Sequence, residues 1–421
     1  MSLKERDKKH IWHPLTQHKL HPETIGITKA SGCILTDENG NKYIDAIASW
    51  YTSMYGHCNP QITRQVAEQM QTLDQVVFSG FTHEPAVKLS EALIEILPEN
   101  QNKIFFSDNG STSVEIGIKM ALQYHFNQGE KRNVLIAFED GFHGDTFGAM
   151  SVSGLSVYNG PFEDFFLKVK RIPTPNGKNH EAILKALETI VSQHKIAGFV
   201  YEPLVQGAAA MKMHDVEGLE HILKFCKANQ IITVADEVMT GFGKTGRYFA
   251  SDYMETKPDI ICLSKSLTAG LLPMAITSCS QHVYDAFYSD DISKGLFHGH
   301  TYSANPLACT AALAGINLLK SEDIQNNIKR IIQSHKQFGA HIKLHPKVES
   351  IRQTGIIIAL DLNTKMERYG NLRDQLFHFF MKNGVFLRPL GNTIYILAPF
   401  VISNEQLQKV YQVIEDALDT L

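Results

Sequence analysis

Three short stretches carry residue types that suit one chemistry when taken together. Asp259-Ile260-Ile261-Cys262-Leu263-Ser264-Lys265-Ser266 sets a lysine directly after an apolar run that reads as a buried strand. A lysine held there loses hydration, its ammonium pKa falls, and the neutral amine becomes a nucleophile toward an aldehyde. Ile231-Ile232-Thr233-Val234-Ala235-Asp236-Glu237 ends a second apolar strand in two carboxylates. A carboxylate buried at such a point is costly unless it meets a cation. The third stretch runs from a strand at Lys103 through Asn109-Gly110-Ser111-Thr112 into a helix with apolar residues at Val114, Ile118 and Leu122. Free N–H groups and the positive end of a helix dipole make this turn a phosphate cradle, with Gly110 allowing close approach and Ser111 and Thr112 adding hydroxyls. Thr112 and Glu115 form a capping-box pattern there. Each stretch alone also has an ordinary reading: a surface lysine closing a strand, a helix-capping aspartate, a plain N-cap. Together they ask for an aldehyde, a ring cation and a phosphate, which pyridoxal phosphate combines. Lys265 is expected to anchor it covalently and Asp236 to keep its ring nitrogen protonated, so that the ring acts as an electron sink.

Further residues fit around such a ring. Phe142-His143 follows another strand between Gly141 and Gly144, where an aromatic side chain can stack on a planar cofactor. His298-Gly299-His300-Thr301 holds two histidines without a third ligand, so no metal is expected and Thr301 is read as a hydroxyl donor, with His300 beside it at the cofactor. Arg388 ends the run Val385-Phe386-Leu387-Arg388-Pro389, where a guanidinium offers a carboxylate a bidentate grip or makes a structural salt bridge. Gly241-Phe242-Gly243-Lys244-Thr245-Gly246 matches the dinucleotide fingerprint by letter. Asp236–Thr240 separates it from its strand and no helical face follows, so it reads as a glycine-rich active-site loop.

The elements that position these residues follow from periodicity. Lys265 comes 29 residues after Asp236, room for a helix and a turn between parallel strands. Strands are expected at Lys103–Ser107, Val134–Phe138, Ala197–Tyr201, Ile231–Ala235 and Ile260–Leu263, alternating with helices in the pattern of a mostly parallel sheet covered on both faces. A hairpin is expected from 33–36 and 42–45, a long Ala-rich helix from Asn305-Pro306, and a second hairpin pairing Val385–Arg388 with Thr393–Leu397. The expected division is an N-terminal segment 1–60 joining a smaller α/β domain, a large cofactor domain 61–299, and an interdomain helix with the small domain at 300–421, the site lying between the two.

Composition excludes other classes. Forty Lys and Arg balance 44 Asp and Glu without a dense basic run, which argues against nucleic-acid binding. No apolar signal core follows the charged start and no unbroken apolar run spans a bilayer, so a soluble cytoplasmic protein is expected. The six cysteines, with no C-x-x-C pair, suit reduced thiols packed as small hydrophobes.

Asn109-Gly110-Ser111-Thr112, Asp236 to Gly246 and Leu263-Ser264-Lys265, in this order and spacing over nearly the whole chain, resemble the class III aminotransferases of pyridoxal-phosphate fold type I. Ile11-Trp12-His13-Pro14, Ala48-Ser49-Trp50, Gly144 to Ser151 and Leu387-Arg388-Pro389 look like the branch that aminates 8-amino-7-oxononanoate in biotin synthesis. The resemblance implies a seven-stranded, mostly parallel sheet, a ping-pong transamination, and a homodimer in which Thr301 reaches the neighbouring subunit's cofactor phosphate. It further implies that Phe142 stacks on the cofactor, that Trp50 walls the substrate pocket, and that Arg388 holds the keto substrate's carboxylate near Gly299. Leu15, Phe142 and His300 stand where many relatives carry tyrosine, tyrosine and proline. The missing hydroxyls leave the amino donor open between S-adenosylmethionine and lysine; an ω-aminotransferase acting on ornithine or 4-aminobutyrate is the remaining alternative.

Overall fold

The computed structural model describes residues 2–20, 24–154, 156, 159–365, 367–368 and 370–420. Its centre is a seven-stranded sheet with the spatial order Gln101–Ser107, Ala275–Ser280, Ile260–Leu263, Ile232–Asp236, Ile196–Tyr201, Val134–Phe138 and Val169–Ile172. Neighbours are parallel except for Ala275–Ser280, which runs antiparallel to both of its partners. Val134–Phe138 and Ile196–Tyr201 are buried at every residue, as strands covered on both faces must be. On one face Leu135, Val200, Val234 and Cys262 pack with the helix Gly110–Asn127; on the other Phe138, Tyr201, Ala235 and Ile261 join the larger core with Glu84–Ile96 and Val216–Ala228. Gly117 lets the first helix lie close, since a Cβ there would come 2.9 Å from Val234 Cγ1.

The five expected strands are present with ends shifted by no more than two residues, and Val169–Ile172 and Ala275–Ser280 complete the sheet. The latter escaped the sequence reading because Thr277 and Ser278 make it look polar. Both hydroxyls are satisfied internally, Thr277 donating to Ser113 O at 2.8 Å and Ser278 to Gln101 Oε1 at 2.6 Å. The N-terminal hairpin forms from Ile34–Asp37 and Lys42–Asp45. Pro306–Lys320 is a helix capped by the Asn305 side chain.

The C-terminal hairpin does not form. Val385–Phe386 instead pairs in parallel with Lys42–Asp45, completing a four-stranded sheet with Ile27–Ser31 and Ile34–Asp37. Thr393–Ile396 pairs with Ile357–Leu362 in a separate three-stranded sheet. A single bridge, Leu390 to Thr393, remains of the expected pairing. Pro389 has no N–H to give to a ladder, and each strand finds a longer partner elsewhere.

All six cysteines are free; five are buried, whereas Cys58 is exposed rather than packed. Among the described residues no helix is long and apolar enough to cross a membrane.

Candidate active site

The functional side chains gather at the carboxyl ends of adjacent parallel strands, where open α/β sheets place ligands. Asp236 is in register with Cys262, three residues before Lys265, and Tyr201, immediately before Glu202, is in register with Ala235. Three neighbouring strand ends thus deliver Glu202, Asp236 and Lys265 side by side. Asp236 is buried, and its Oδ2 lies 2.8 Å from His143 Nδ1 while Oδ1 accepts the Val238 N–H at 3.0 Å. Burial alone would lower the basicity of His143, but the hydrogen bond and charge of Asp236 outweigh it and raise its pKa. His143 Nε2 is buried and has no hydrogen-bond partner among the described residues.

Lys265 adopts φ 48°, so the chain turns sharply after the strand. Part of the residue stays accessible, yet burial lowers the pKa of its amine, with Asp236 and Glu202 pulling the other way. Its Nζ lies 5.0 Å from the centre of the Tyr51 ring. Glu202 was not singled out from the sequence, although Phe199-Val200-Tyr201-Glu202 repeats the pattern of an apolar strand ending in a carboxylate. Its Oε1 accepts the Phe142 N–H and its Oε2 the Gly207 N–H, both at 2.8 Å. Burial first, then the charge of Asp236, push its pKa up to about 7 against the opposing pull of His143.

The phosphate-cradle turn is capped differently from the expected pattern. Asn109 is the N-cap, its side chain accepting from Thr112 N at 3.0 Å while Thr112 Oγ1 accepts from Asn109 N at 3.3 Å. Glu115 instead accepts the Gly148 N–H at 2.6 Å and the Ala149 N–H at 3.1 Å, holding the start of the helix Phe147–Val152. The turn lies tight against the strand end: a Cβ on Gly110 would come 2.7 Å from Val238 Cγ1. Gly144 sits so close that its Cβ would stand 2.2 Å from Ser111 Oγ, and Ser111 Oγ accepts the Thr146 N–H at 3.0 Å. The first N–H groups of the helix, those of Gly110 and Ser111, have no partner in the helix itself. His300 comes to this turn too, its Nε2 3.4 Å from Asp108.

Trp50 and Arg388 meet, the guanidinium carbon 4.6 Å from the centre of the Trp50 ring. Among the described residues Arg388 has no carboxylate partner, which leaves its fork free. Trp50 belongs to a turn with no sequence signature: Ala48, Ser49, Trp50 and Tyr51 have φ of 49°, 46°, 69° and 73°, a left-handed helical turn built without glycine. Such backbone costs about 1–2 kcal/mol per residue, so tertiary contacts must hold it. The other predicted residues lie at the surface. Leu15 and Phe142 are exposed, Thr301 is exposed with its carbonyl accepting from Gln75 Nε2 at 3.0 Å, and Gly299 faces open space.

The glycine-rich loop forms no helix and is buried from Gly241 to Thr245, with Gly246 exposed. Gly243 packs beside Leu319, Ile328 and Phe400, and the Ile356 N–H donates to Lys244 O at 2.9 Å. It is a seam between the large sheet and the C-terminal part of the chain. This placement argues against a dinucleotide site there, while the charge of Lys265 reaches Lys244 and Gly241 packs against Leu263, so the loop also borders the strand end that carries Lys265.

A clustered amine, carboxylate pair, helix N-terminus and free guanidinium are the donor set of an enzyme that moves amino groups. The chain belongs to the class-III aminotransferase family, whose pattern spans residues 16–418. It is 40% identical over 423 residues to the adenosylmethionine-8-amino-7-oxononanoate aminotransferase of Synechococcus elongatus, covering 98% of this chain and 99% of that one. The crystal structure of the enzyme of that name from Methanocaldococcus jannaschii superposes with a TM-score of 0.94 at 31% identity, covering 99% of this chain and 98% of the other. An amine transaminase from an uncultivated Pseudomonas species, solved in its PLP-bound form, superposes with a TM-score of 0.91 at 27% identity, covering 97% and 98%.

Proposed function

We propose that this chain is a pyridoxal-phosphate-dependent aminotransferase that converts the 7-keto group of 8-amino-7-oxononanoate to an amine, with S-adenosylmethionine as amino donor. The observation that carries the reading is the placing of Lys265 and Asp236 on adjacent strand ends beside the Gly110 turn, an amine, an anion and a set of free N–H groups arranged for an aldehyde, a ring nitrogen and a phosphate. The bound cofactor supplies an electron sink for the carbon from which the donor's proton is removed.

The protein's own side chains supply the rest. Lys265, made less basic by burial, provides the neutral amine that binds the cofactor and then takes and returns the substrate proton. Asp236 fixes the proton on the ring nitrogen, and His143 orients Asp236 through the 2.8 Å contact. Gly110 and Ser111 hold the phosphate through the helix N-terminus. Phe142 covers the ring face, and the Glu202 hydrogen bond to its N–H sets where that ring stands. Arg388, braced by Trp50, receives the substrate carboxylate.

A second copy of the chain completes the site. Phe297 and Tyr302 are exposed at 73% and 60% in the segment that carries Gly299 and Thr301, large apolar rings of the kind an obligate dimer covers. Thr301 and His300 then face the neighbouring cofactor phosphate, and Leu15 borders the substrate pocket. The identity of relatives favours S-adenosylmethionine over lysine as donor.

The test is a donor panel. Purified protein with pyridoxal phosphate and 8-amino-7-oxononanoate is given S-adenosylmethionine, lysine, ornithine or 4-aminobutyrate, and 7,8-diaminononanoate is measured. Product with S-adenosylmethionine is expected. Product with lysine alone moves the donor assignment, and conversion of ornithine or 4-aminobutyrate without this ketone overturns the reading.

A further inference from the structure

The left-handed turn at 48–51 carries two aromatic residues that reach the candidate site, Trp50 against Arg388 and Tyr51 beside Lys265. Tyr51 also donates its hydroxyl hydrogen to Tyr395 Oη at 3.0 Å and takes a hydrogen bond on its carbonyl from Ser266 Oγ at 2.8 Å. The turn thus touches the anchoring lysine, the residue after it and the free guanidinium at once. Alanine, serine, tryptophan and tyrosine do not choose such a backbone for themselves, since each Cβ opposes it. Something outside the turn selects it.

One buried carboxylate sits at the start of the turn. Asp45 is fully buried at the end of the strand Lys42–Asp45 and collects four hydrogen bonds. Ile47 N donates at 3.2 Å, Ser49 N at 2.7 Å and Ser49 Oγ at 3.0 Å, while His57 Nε2 stands 2.8 Å from Oδ2. Within the turn Tyr51 N donates to Ile47 O and Thr52 N to Ala48 O, as in one turn of a left-handed helix. Asp45 stands to this turn as an N-cap stands to an ordinary helix, satisfying the N–H groups that its first residues leave open. His57 is itself held by paired backbone hydrogen bonds with Gly32, so the cap has a rigid second support.

We propose that Asp45, supported by His57, is a positioning residue for the substrate pocket: it selects the left-handed turn and thereby sets where the Trp50 and Tyr51 rings stand against Arg388 and Lys265. Its place in the reaction rests on the aminotransferase reading; its hold on the turn does not. The chain has two tryptophans, Trp12 and Trp50, so in a Trp12→Phe background Trp50 fluorescence reports on the turn without any substrate.

In that background Asp45→Ala is expected to raise acrylamide quenching of Trp50 roughly twofold or more and to raise KM for the keto acid about tenfold, because a misplaced anchor weakens binding. The visible band formed by Lys265 with pyridoxal phosphate should persist, and kcat should fall less than KM rises. Asp45→Asn, which keeps one acceptor oxygen, should restore part of both effects. Parent-like quenching and KM in Asp45→Ala overturn the proposal, as does a loss of kcat, KM and cofactor band that tracks only the folded fraction. Should Asp45→Ala fail to fold, His57→Ala removes one bond of the four and is expected to shift both readouts in the same direction by roughly twofold; no shift overturns the proposal. If neither parent nor variant aminates any ketone, the aminotransferase reading fails, while the quenching comparison still decides whether Asp45 holds the turn.

Discussion

Lys265 and Lys244 are both made less basic by burial, yet they stand in regions built for opposite ends. Lys244 is fully enclosed in the glycine-rich loop, its Nζ donating to Gly241 O at 2.8 Å. The nearby acid, Glu237, is already occupied by Thr240 Oγ1 at 2.6 Å, Ser251 N at 2.6 Å and Ala250 N at 3.1 Å. Lys265 keeps some accessible surface and faces two carboxylates, Asp236 and Glu202, that are not sealed off from it. Desolvation therefore does not by itself mark a site. A buried lysine becomes chemically useful where it remains reachable and where a neighbouring anion can return the proton that burial takes away.

The largest effects break this comparison at its functional side. Lys265→Ala is expected to lose turnover by at least about a thousandfold and to lose the visible band formed with pyridoxal phosphate, because one group supplies both the covalent anchor and the proton transfer. A variant retaining the band would place the anchor elsewhere. Asp236→Asn keeps the shape but removes the charge paired with the ring, and a fall of roughly a hundredfold or more in kcat is expected from losing one well-placed electrostatic partner. The cofactor band should survive in that variant, shifted in wavelength. A kcat within a few-fold of the parent would mean that the ring nitrogen lies away from Asp236.

The grouping of these residues was legible because each of them interrupts a pattern: a charge ends an apolar run at Asp236 and at Lys265, and small polar residues open a helix at Gly110. Glu202 obeyed the same rule and could have been found by it. The turn at 48–51 obeyed none, since its local sequence opposes its own backbone and only the distant fold, through Asp45 and His57, makes it affordable. The C-terminal hairpin failed for a related reason: Gly391 and Asn392 do mark a turn, but pairing is decided by which sheet edges are free, and those edges come from residues 42–45 and 357–362. Leu15 and Gly299 were offered by family resemblance alone, whereas Thr301 was also read as a hydroxyl donor; the surroundings of all three in one chain are largely solvent.

A smaller effect sharpens the role of the second carboxylate. Glu202 has its pKa pushed up to about 7, so above neutrality it is an anion that favours the ammonium form of Lys265. Glu202→Gln cannot become that anion, and the pH at which half of Lys265 captures pyridoxal phosphate is expected to fall by roughly half a unit to one unit. The readout is the growth of the cofactor band across a pH series in parent and variant. An unchanged midpoint would show that Glu202 acts only through the Phe142 and Gly207 backbone.

The smallest effect concerns Lys244 and is read in stability. Burial first, then the charge of Lys265, hold its pKa well below the ordinary lysine value in the folded chain, so between the folded and unfolded values the unfolded chain binds a proton that the folded chain does not. Stability that depends on this residue must then rise as pH climbs toward the unfolded pKa of about 10.4, by at most ~1.4 kcal/mol per pH unit. Lys244→Met keeps the length and apolar stem, removes the titrating amine, and leaves Glu237 with the hydrogen bonds it already has. The variant is expected to be more stable than the parent at pH 7 by about 1 kcal/mol and to lose that lead by pH 9, while turnover stays within about threefold. Denaturant unfolding at pH 7, 8 and 9 measures the difference directly; because the charge of Lys265 also helps to lower the pKa of Lys244, the gap reports the coupling of the two lysines as well as the burial of Lys244. If parent and variant keep a constant gap across the series, Lys244 titrates as an ordinary lysine, and burial would no longer account for the behaviour of its counterpart at the strand end.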